Sequence, residues 1–152
     1  MSASETGAQA RDLLRQAQRA SLATLLENGA PYASLVLVAE DEDFSPILLL
    51  SYLAEHAKNL KRDPRASLLI DGTAGLDEPL TGPRVTLIGA MTKSDDERLK
   101  TRYLARHKSA ALYAGFRDFA FYRMNVERAH LVAGFGRIDW IDAADFLLPK
   151  AR

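Results

Sequence analysis

The stretch Ser21-Leu22-Ala23-Thr24-Leu25-Leu26-Glu27-Asn28-Gly29-Ala30-Pro31-Tyr32-Ala33-Ser34-Leu35-Val36-Leu37-Val38 sets two apolar segments on either side of an Asn-Gly turn. Asn-Gly accepts the positive φ angles that a tight connection between antiparallel strands demands, so residues 21–26 and 32–38 read as a β-hairpin. Working outward, an acidic turn at residues 40–43 leads to a strand at 46–51, whose Ile47-Leu48-Leu49-Leu50 run suits burial on both faces. Residues 54–62 read as a short helix that Asp63-Pro64 ends, because proline disfavours helical geometry in the residue before it. Further strands are expected at 66–71 and 84–93, separated by a glycine- and proline-rich loop at 72–83.

Upstream, residues 4–19 form an amphipathic helix with Leu13, Leu14 and Ala17 on one side and arginines on the other, suited to capping a barrel end. Downstream, Ser94-Asp95-Asp96-Glu97 has capping-box spacing, with Ser94 as the cap of a helix reaching about His107. A helical turn at 110–113 precedes strands at 119–126 and 130–133, on either side of Glu127-Arg128. After Gly134-Phe135-Gly136 the strand pattern continues over 137–141, and a last turn is expected at 142–146. Six or seven short strands with few crossover helices make a mainly β, α+β fold, an antiparallel barrel rather than a doubly wound parallel sheet.

Length and composition bound the function. The 152 residues fit one domain spanning 1–152. Acidic and basic residues are equal at 20 each, so no net field draws nucleic acid or an anionic membrane surface, and any anion site must be local. The absence of cysteine removes disulfides, thiolate metal sites and cysteine nucleophiles. Arg11, Asp12, Arg15 and Arg19 interrupt the N-terminal region, which therefore lacks the apolar centre of a signal peptide, and no run approaches the roughly 20 apolar residues of a membrane span. A cytoplasmic protein with neither nucleic acid nor membrane as partner is the expectation.

The segment Leu50-Ser51-Tyr52-Leu53-Ala54-Glu55-His56-Ala57-Lys58-Asn59-Leu60 carries the chemistry. A buried strand ends in a hydroxyl and turns directly into a helix bearing a lysine. Free amides of a first helical turn attract anions, and Ser51 and Lys58 add a hydroxyl donor and a cation, reinforced by Lys61 and Arg62. Glu55 opposes this, and the same spacing also fits a plain strand followed by a basic amphipathic helix.

The order of these pieces resembles the split-barrel proteins that bind flavin mononucleotide (FMN) and are related to pyridoxamine 5′-phosphate oxidase. It is most similar to their haem-utilisation branch in the Leu53-Ala54-Glu55-His56 and Gly134-Phe135-Gly136-Arg137 elements. The resemblance also runs through Ala20 to Leu25, the Asn28-Gly29-Ala30-Pro31 hairpin, Ser34-Leu35-Val36 and Asp63-Pro64-Arg65-Ala66-Ser67-Leu68-Leu69. It implies a split β-barrel homodimer with flavin at the interface. Ser34, Leu35 and Val36 would lie along the ring; Ser51, His56, Lys58 and Asn59 would hold the phosphate, with Arg84 as an additional cation. Phe135 and Arg137 would come from the second chain. Serine at position 34 stands where many oxidases carry arginine, and Ile138-Asp139-Trp140 replaces their C-terminal arginine-and-histidine motif, which argues against pyridoxamine phosphate oxidation. The haem-utilisation proteins draw a haem histidine from additional C-terminal sequence, and no histidine follows His130 here.

Other residues read as follows. His56 either faces the phosphate or is a partly exposed capping partner, while His107 suits a helix C-terminus and His130 a strand. Three histidines so separated make no recognisable metal site. No serine has a nucleophile-elbow context. Phe116, Phe119, Phe121, Tyr122 and Trp140 line either a pocket, an interface or ordinary core. The expectation is an FMN-binding oxidoreductase whose flavin is the reactive group, with no catalytic side chain and no substrate named. A non-catalytic ligand-binding dimer and a haem-binding or haem-degrading protein stand as alternatives.

Overall fold

A computed structural model describes residues 1–149. Helix α1 (Ala3–Gln16) starts at Ser2, whose hydroxyl accepts the amide of Glu5, and it ends before Arg19 because that residue already pairs with Leu37. The hairpin follows as β1 (Arg19–Leu25) and β2 (Pro31–Leu37), with Gly29 at φ 84° in the turn. Next come β3 (Ala39–Glu40), β4 (Pro46–Ser51), α2 (Glu55–Arg62), β5 (Arg65–Asp71) and β6 (Arg84–Lys93). Helix α3 (Glu97–Arg106), β7 (Phe119–Gly134), β8 (Arg137–Asp142) and α4 (Ala143–Phe146) complete the order. No helix among the described residues is long and apolar enough to cross a membrane.

The eight strands form one curled antiparallel sheet in the order β2-β1-β5-β6-β7-β4-β3, with β8 also on β7. Strand β7 holds it together. One edge pairs with β6 over nearly its whole length; the other is divided between β4 at residues 119–123 and β8 at residues 128–134. The two strands expected on either side of Glu127 are thus one. The break in the pattern is a bulge: Ile88 pairs with Arg128 and Gly89 with Val126, which leaves Glu127 without a partner and bends the strand. A Cβ on Gly89 would collide with the Asn125 carbonyl, so glycine is what permits the approach.

Two cores result. Leu22, Leu68, Ile70, Leu87, Met124 and Leu131 fill the concave side of the sheet beneath α1. Ile47 and Leu49 face the other way, into a smaller core with Leu99 and Tyr103 of α3, while Leu48 and Leu50 join the main one. That division explains the unbroken apolar run of β4. At the start of α3 the cap is Asp96, whose carboxylate accepts the Arg98 amide, rather than Ser94, whose hydroxyl accepts the Asp96 amide instead.

The expected acidic turn is a buried charge lattice. Glu40 binds Arg106 at 2.6 Å, Asp41 binds Arg98 at 3.2 Å and Arg123 at 3.1 Å, and Asp43 binds Arg123 at 2.6 Å. Arg102 donates to the Glu40 carbonyl and Arg106 to the Ala17 carbonyl, so the lattice ties β3 and α1 to α3 and β7. It also fixes Phe44, which sits at φ 71°. Removing one partner of a buried pair strands the other charge in low dielectric. Arg123→Ala should therefore cost about 3 to 5 kcal/mol by urea denaturation. Arg98→Ala should cost far less, since that side chain is 53% exposed and Asp41 keeps Arg123. Equal losses would contradict this account.

Candidate functional site

Strands β2 and β4 run close together without a hydrogen-bonded ladder, because each lies toward a different end of the curled sheet. The gap between them is a cleft of about 310 Å³. Leu35 and Val36 line it from β2, Leu49 to Ser51 from β4, His56 from α2, Tyr103 from α3, and Tyr113 and Phe119 from the segment entering β7. Its walls are mostly apolar and aromatic.

The polar exception is a pair. Ser34 Oγ and His56 Nδ1 lie 2.9 Å apart, joining the edge strand to the first turn of α2. Burial penalises the charged imidazole and holds His56 below its ordinary value of 6.5. His56 therefore stands in the cleft as a neutral ring at physiological pH, with Nε2 unpartnered among the described residues.

The expected phosphate cradle is assembled only in part. Helix α2 begins at Ala54 without a side-chain cap, and the amides of Glu55 and His56 make no hydrogen bond within the described residues. Lys58 is exposed on the same helix. Ser51, however, donates its hydroxyl to Asp118 at 2.9 Å and accepts the Leu53 amide, so its proton is directed to a carboxylate. Asn59 is 0% exposed, giving its amide to Thr24 Oγ1 and its carbonyl to Arg62. It faces the core and not an anion, because helical spacing puts it beside Leu60 and Ala57 on the inner face. Arg84 lies at the opposite end of the β5–β6 ladder, opposite Asp71, whereas α2 leads into Arg65 opposite Ala90; its guanidinium donates to the carbonyls of Leu80 and Gly82. Both residues are thus withdrawn from the cleft of this chain. Phe135, 79% exposed, and Arg137 stand at the β7–β8 turn, away from the cleft lining.

Asp118, Tyr103 and Tyr113 enter the site without any signal in the sequence. They arrive through the pairing of Ser51 with Phe119 and through the packing of α3 on β4. Of the aromatics, Phe121 packs edge-on against Tyr103, and Phe119 lies 4.9 Å from Tyr113. His107 is structural: its Nε2 meets the Val38 carbonyl at 2.7 Å.

The cleft opens at Leu35 onto the convex face of the sheet. Residues paired directly across strands share a face, so Leu35, Ser21, Leu69, Thr86, His130 and Trp140 form one row over it. Leu35 is 70% exposed and Trp140 56%, the latter stacked on His130 and covered by Arg128 at 4.2 Å. Leu37 and Ile138 add two more exposed apolar side chains to this face, where Leu35, Leu69 and Trp140 alternate with Ser21, Thr86 and His130.

The lowered pKa of His56 has a definite sign. A proton taken up by the unfolded chain at 6.5 is refused by the native state, so this residue's contribution to stability is complete above 6.5 and is lost as the pH falls from there through the folded value. In an NMR titration one imidazole signal, absent in His56→Gln, should have its midpoint below 6.5. A midpoint at or above that value would contradict the burial.

Comparison with known proteins follows the same geometry. The family model described as the CREG β-barrel matches residues 2–147. The chain is 39% identical over 109 residues to the chloroplastic non-canonical heme oxygenase HOZ of Arabidopsis thaliana, aligning 70% of this chain with 33% of that protein. A solved heme binding protein from Mycobacterium smegmatis is 32% identical with TM-score 0.86, over 96% of this chain and 60% of its own. Campylobacter jejuni ChuZ shares the fold at 17% identity and TM-score 0.79, over 93% of this chain and 61% of its own. The chain therefore spans a third of the length of the plant relative and about three fifths of these two solved ones. With a match across nearly all the described residues, the chain belongs to the CREG β-barrel family of split-barrel proteins.

Proposed function

We propose that this protein binds haem between two copies of itself, in the β2–β4 cleft, and supports its oxidative breakdown. The observation that carries the reading is the apolar, aromatic-walled cleft, which opens at the exposed Leu35 onto the convex face that also exposes Leu69, Ile138 and Trp140. A planar macrocycle is mostly apolar with a polar edge. Leu35, Val36, Leu49 and Phe119 fit its faces, and a second copy laid on the Leu35-to-Trp140 row would close the open side. The donor set agrees, since a neutral imidazole stands in the cleft and no carboxylate lines it. The relatives named as a heme oxygenase and a heme binding protein support the same ligand.

When bound, haem supplies the redox and oxygen chemistry. This chain's residues supply an apolar enclosure that excludes water, and the Ser34–His56 pair supplies the polar contact. The cysteine-free composition fits the reducing cytosol as its location.

A second reading, an FMN-binding oxidoreductase, is favoured by the free amides of Glu55 and His56 at the start of α2, with Lys58 beside them. Against it stand Glu55, the Asp118 carboxylate on Ser51 and the inward Asn59. The two readings separate by eye. Titration with haem should give a saturable Soret band, and reductant with oxygen should bleach it; added FMN should remain free. A protein that holds FMN, loses it on Lys58→Ala and gives no Soret band would establish the second reading instead. Light scattering should show a dimer that Leu69→Asp converts to monomer, because it sets a charge in the centre of the Leu35-to-Trp140 row. A wild-type monomer that still binds haem would remove the shared site.

A further inference from the structure

We propose that His56 is the protein's iron ligand in bound haem, through Nε2, and that Ser34 is the positioning residue that fixes its ring. The inference rests on the haem reading above. It rests on the geometry of the Ser34–His56 pair at the cleft, weighed against this chain's other histidine, cysteine, methionine and tyrosine side chains, the types that ligate haem iron.

Cysteine is absent from the chain. Met91 and Met124 are sealed in the main core, and Met1 is at the N-terminus beside Arg137. His107 has Nε2 committed to the Val38 carbonyl and its ring against Tyr103. His130 lies on the convex face under Trp140. Tyr103 lines the cleft but is only 2% exposed, its ring packed against His107 and Phe121. Tyr122 is buried in the main core, and Tyr32 and Tyr52 are not among the cleft-lining residues, which leaves His56 and Tyr113.

His56 has the arrangement that ligating histidines show, one ring nitrogen held and the other free. A neutral imidazole carries one proton. With that proton on Nδ1, donated to Ser34 Oγ at 2.9 Å, the Nε2 lone pair is available to a metal. The serine hydroxyl can rotate to accept, so iron binding selects this tautomer without moving either residue. Ser34 lies on β2 and His56 on α2, so the pair also joins the edge strand to the helix across the mouth of the cleft. Serine at position 34 fits this role: a hydroxyl can hold imidazole Nδ1, whereas a guanidinium, which only donates, could not accept its proton.

The experiment compares wild type, His56→Ala, Ser34→Ala, Ser34→Thr and Tyr113→Phe by haem titration, electron paramagnetic resonance and resonance Raman spectroscopy of the ferrous form, with circular dichroism as the folding check. Wild type should show an iron–histidine stretch. His56→Ala should lose it and regain a histidine-like spectrum on addition of imidazole. Ser34→Ala should weaken haem binding by about tenfold or more and shift the stretch, with Ser34→Thr restoring both. Tyr113→Phe, which alters the cleft wall but not the proposed ligand, should keep the iron–histidine stretch. Wild type without a Soret band would reject the haem reading itself. A Soret band with an unaltered iron–histidine signal in His56→Ala, or one abolished only by Tyr113→Phe, would overturn the ligand assignment alone. Ser34→Ala indistinguishable from wild type would overturn the positioning role.

Discussion

The rest of the structure depends on the bulge at Glu127. Strand β7 is 16 residues long, and a flat strand of that length would offer one straight edge to a single neighbour. The extra residue opposite Gly89 bends it instead, so its free edge is divided between β4 and β8, which leave in different directions. That division places β4 beside β2 without pairing the two, and the unpaired gap is the cleft. A barrel that closed fully at this point would have spent those edges on backbone hydrogen bonds and left no room for a ligand.

Holding such a gap open requires that β3 and β4 be fixed by something other than a ladder to β2. The lattice of Glu40, Asp41 and Asp43 with Arg98, Arg106 and Arg123 does this, clamping the β3–β4 turn to α3 and β7. Buried charge pairs contribute little net stability compared with apolar packing, but they tolerate only one geometry. Because α3 carries both the lattice arginines and Tyr103 of the cleft wall, the lattice also fixes that wall.

Much of this was legible in the sequence. The Asn28-Gly29 hairpin, the doubly buried run at Ile47 to Leu50 and the helix stopped by Asp63-Pro64 are local signals, and each element formed where its own residues dictate. The bulge was legible only as a break, since Glu127-Arg128 interrupts alternation whether the chain turns or merely kinks. The lattice was not legible at all. Acidic residues in a turn normally read as solvent-exposed, and their arginines lie 57 or more residues away in sequence. For the site, Ser34, Leu35, Val36, Ser51 and His56 converge as the hairpin and the strand-to-helix junction suggest. Asn59 and Arg84 do not, because a motif gives the residue's place in the chain but not the face it takes. One step along a helix turns Asn59 into the core; one strand's length carries Arg84 to the other end of the sheet.

Those two withdrawals bear on how one scaffold serves different cofactors. A flavin phosphate needs several cations and hydroxyls at the start of α2. Here Ser51 turns to Asp118, Asn59 turns inward and Glu55 adds a negative charge, leaving two backbone amides and the exposed Lys58. The cleft has apolar walls and an imidazole held by a serine. On the proposed haem reading, this junction would serve a metal-bearing ring in the middle of the cleft rather than an anion at the start of the helix. The polar contact then lies between the helix and the edge strand, where Ser34 holds His56 at Nδ1.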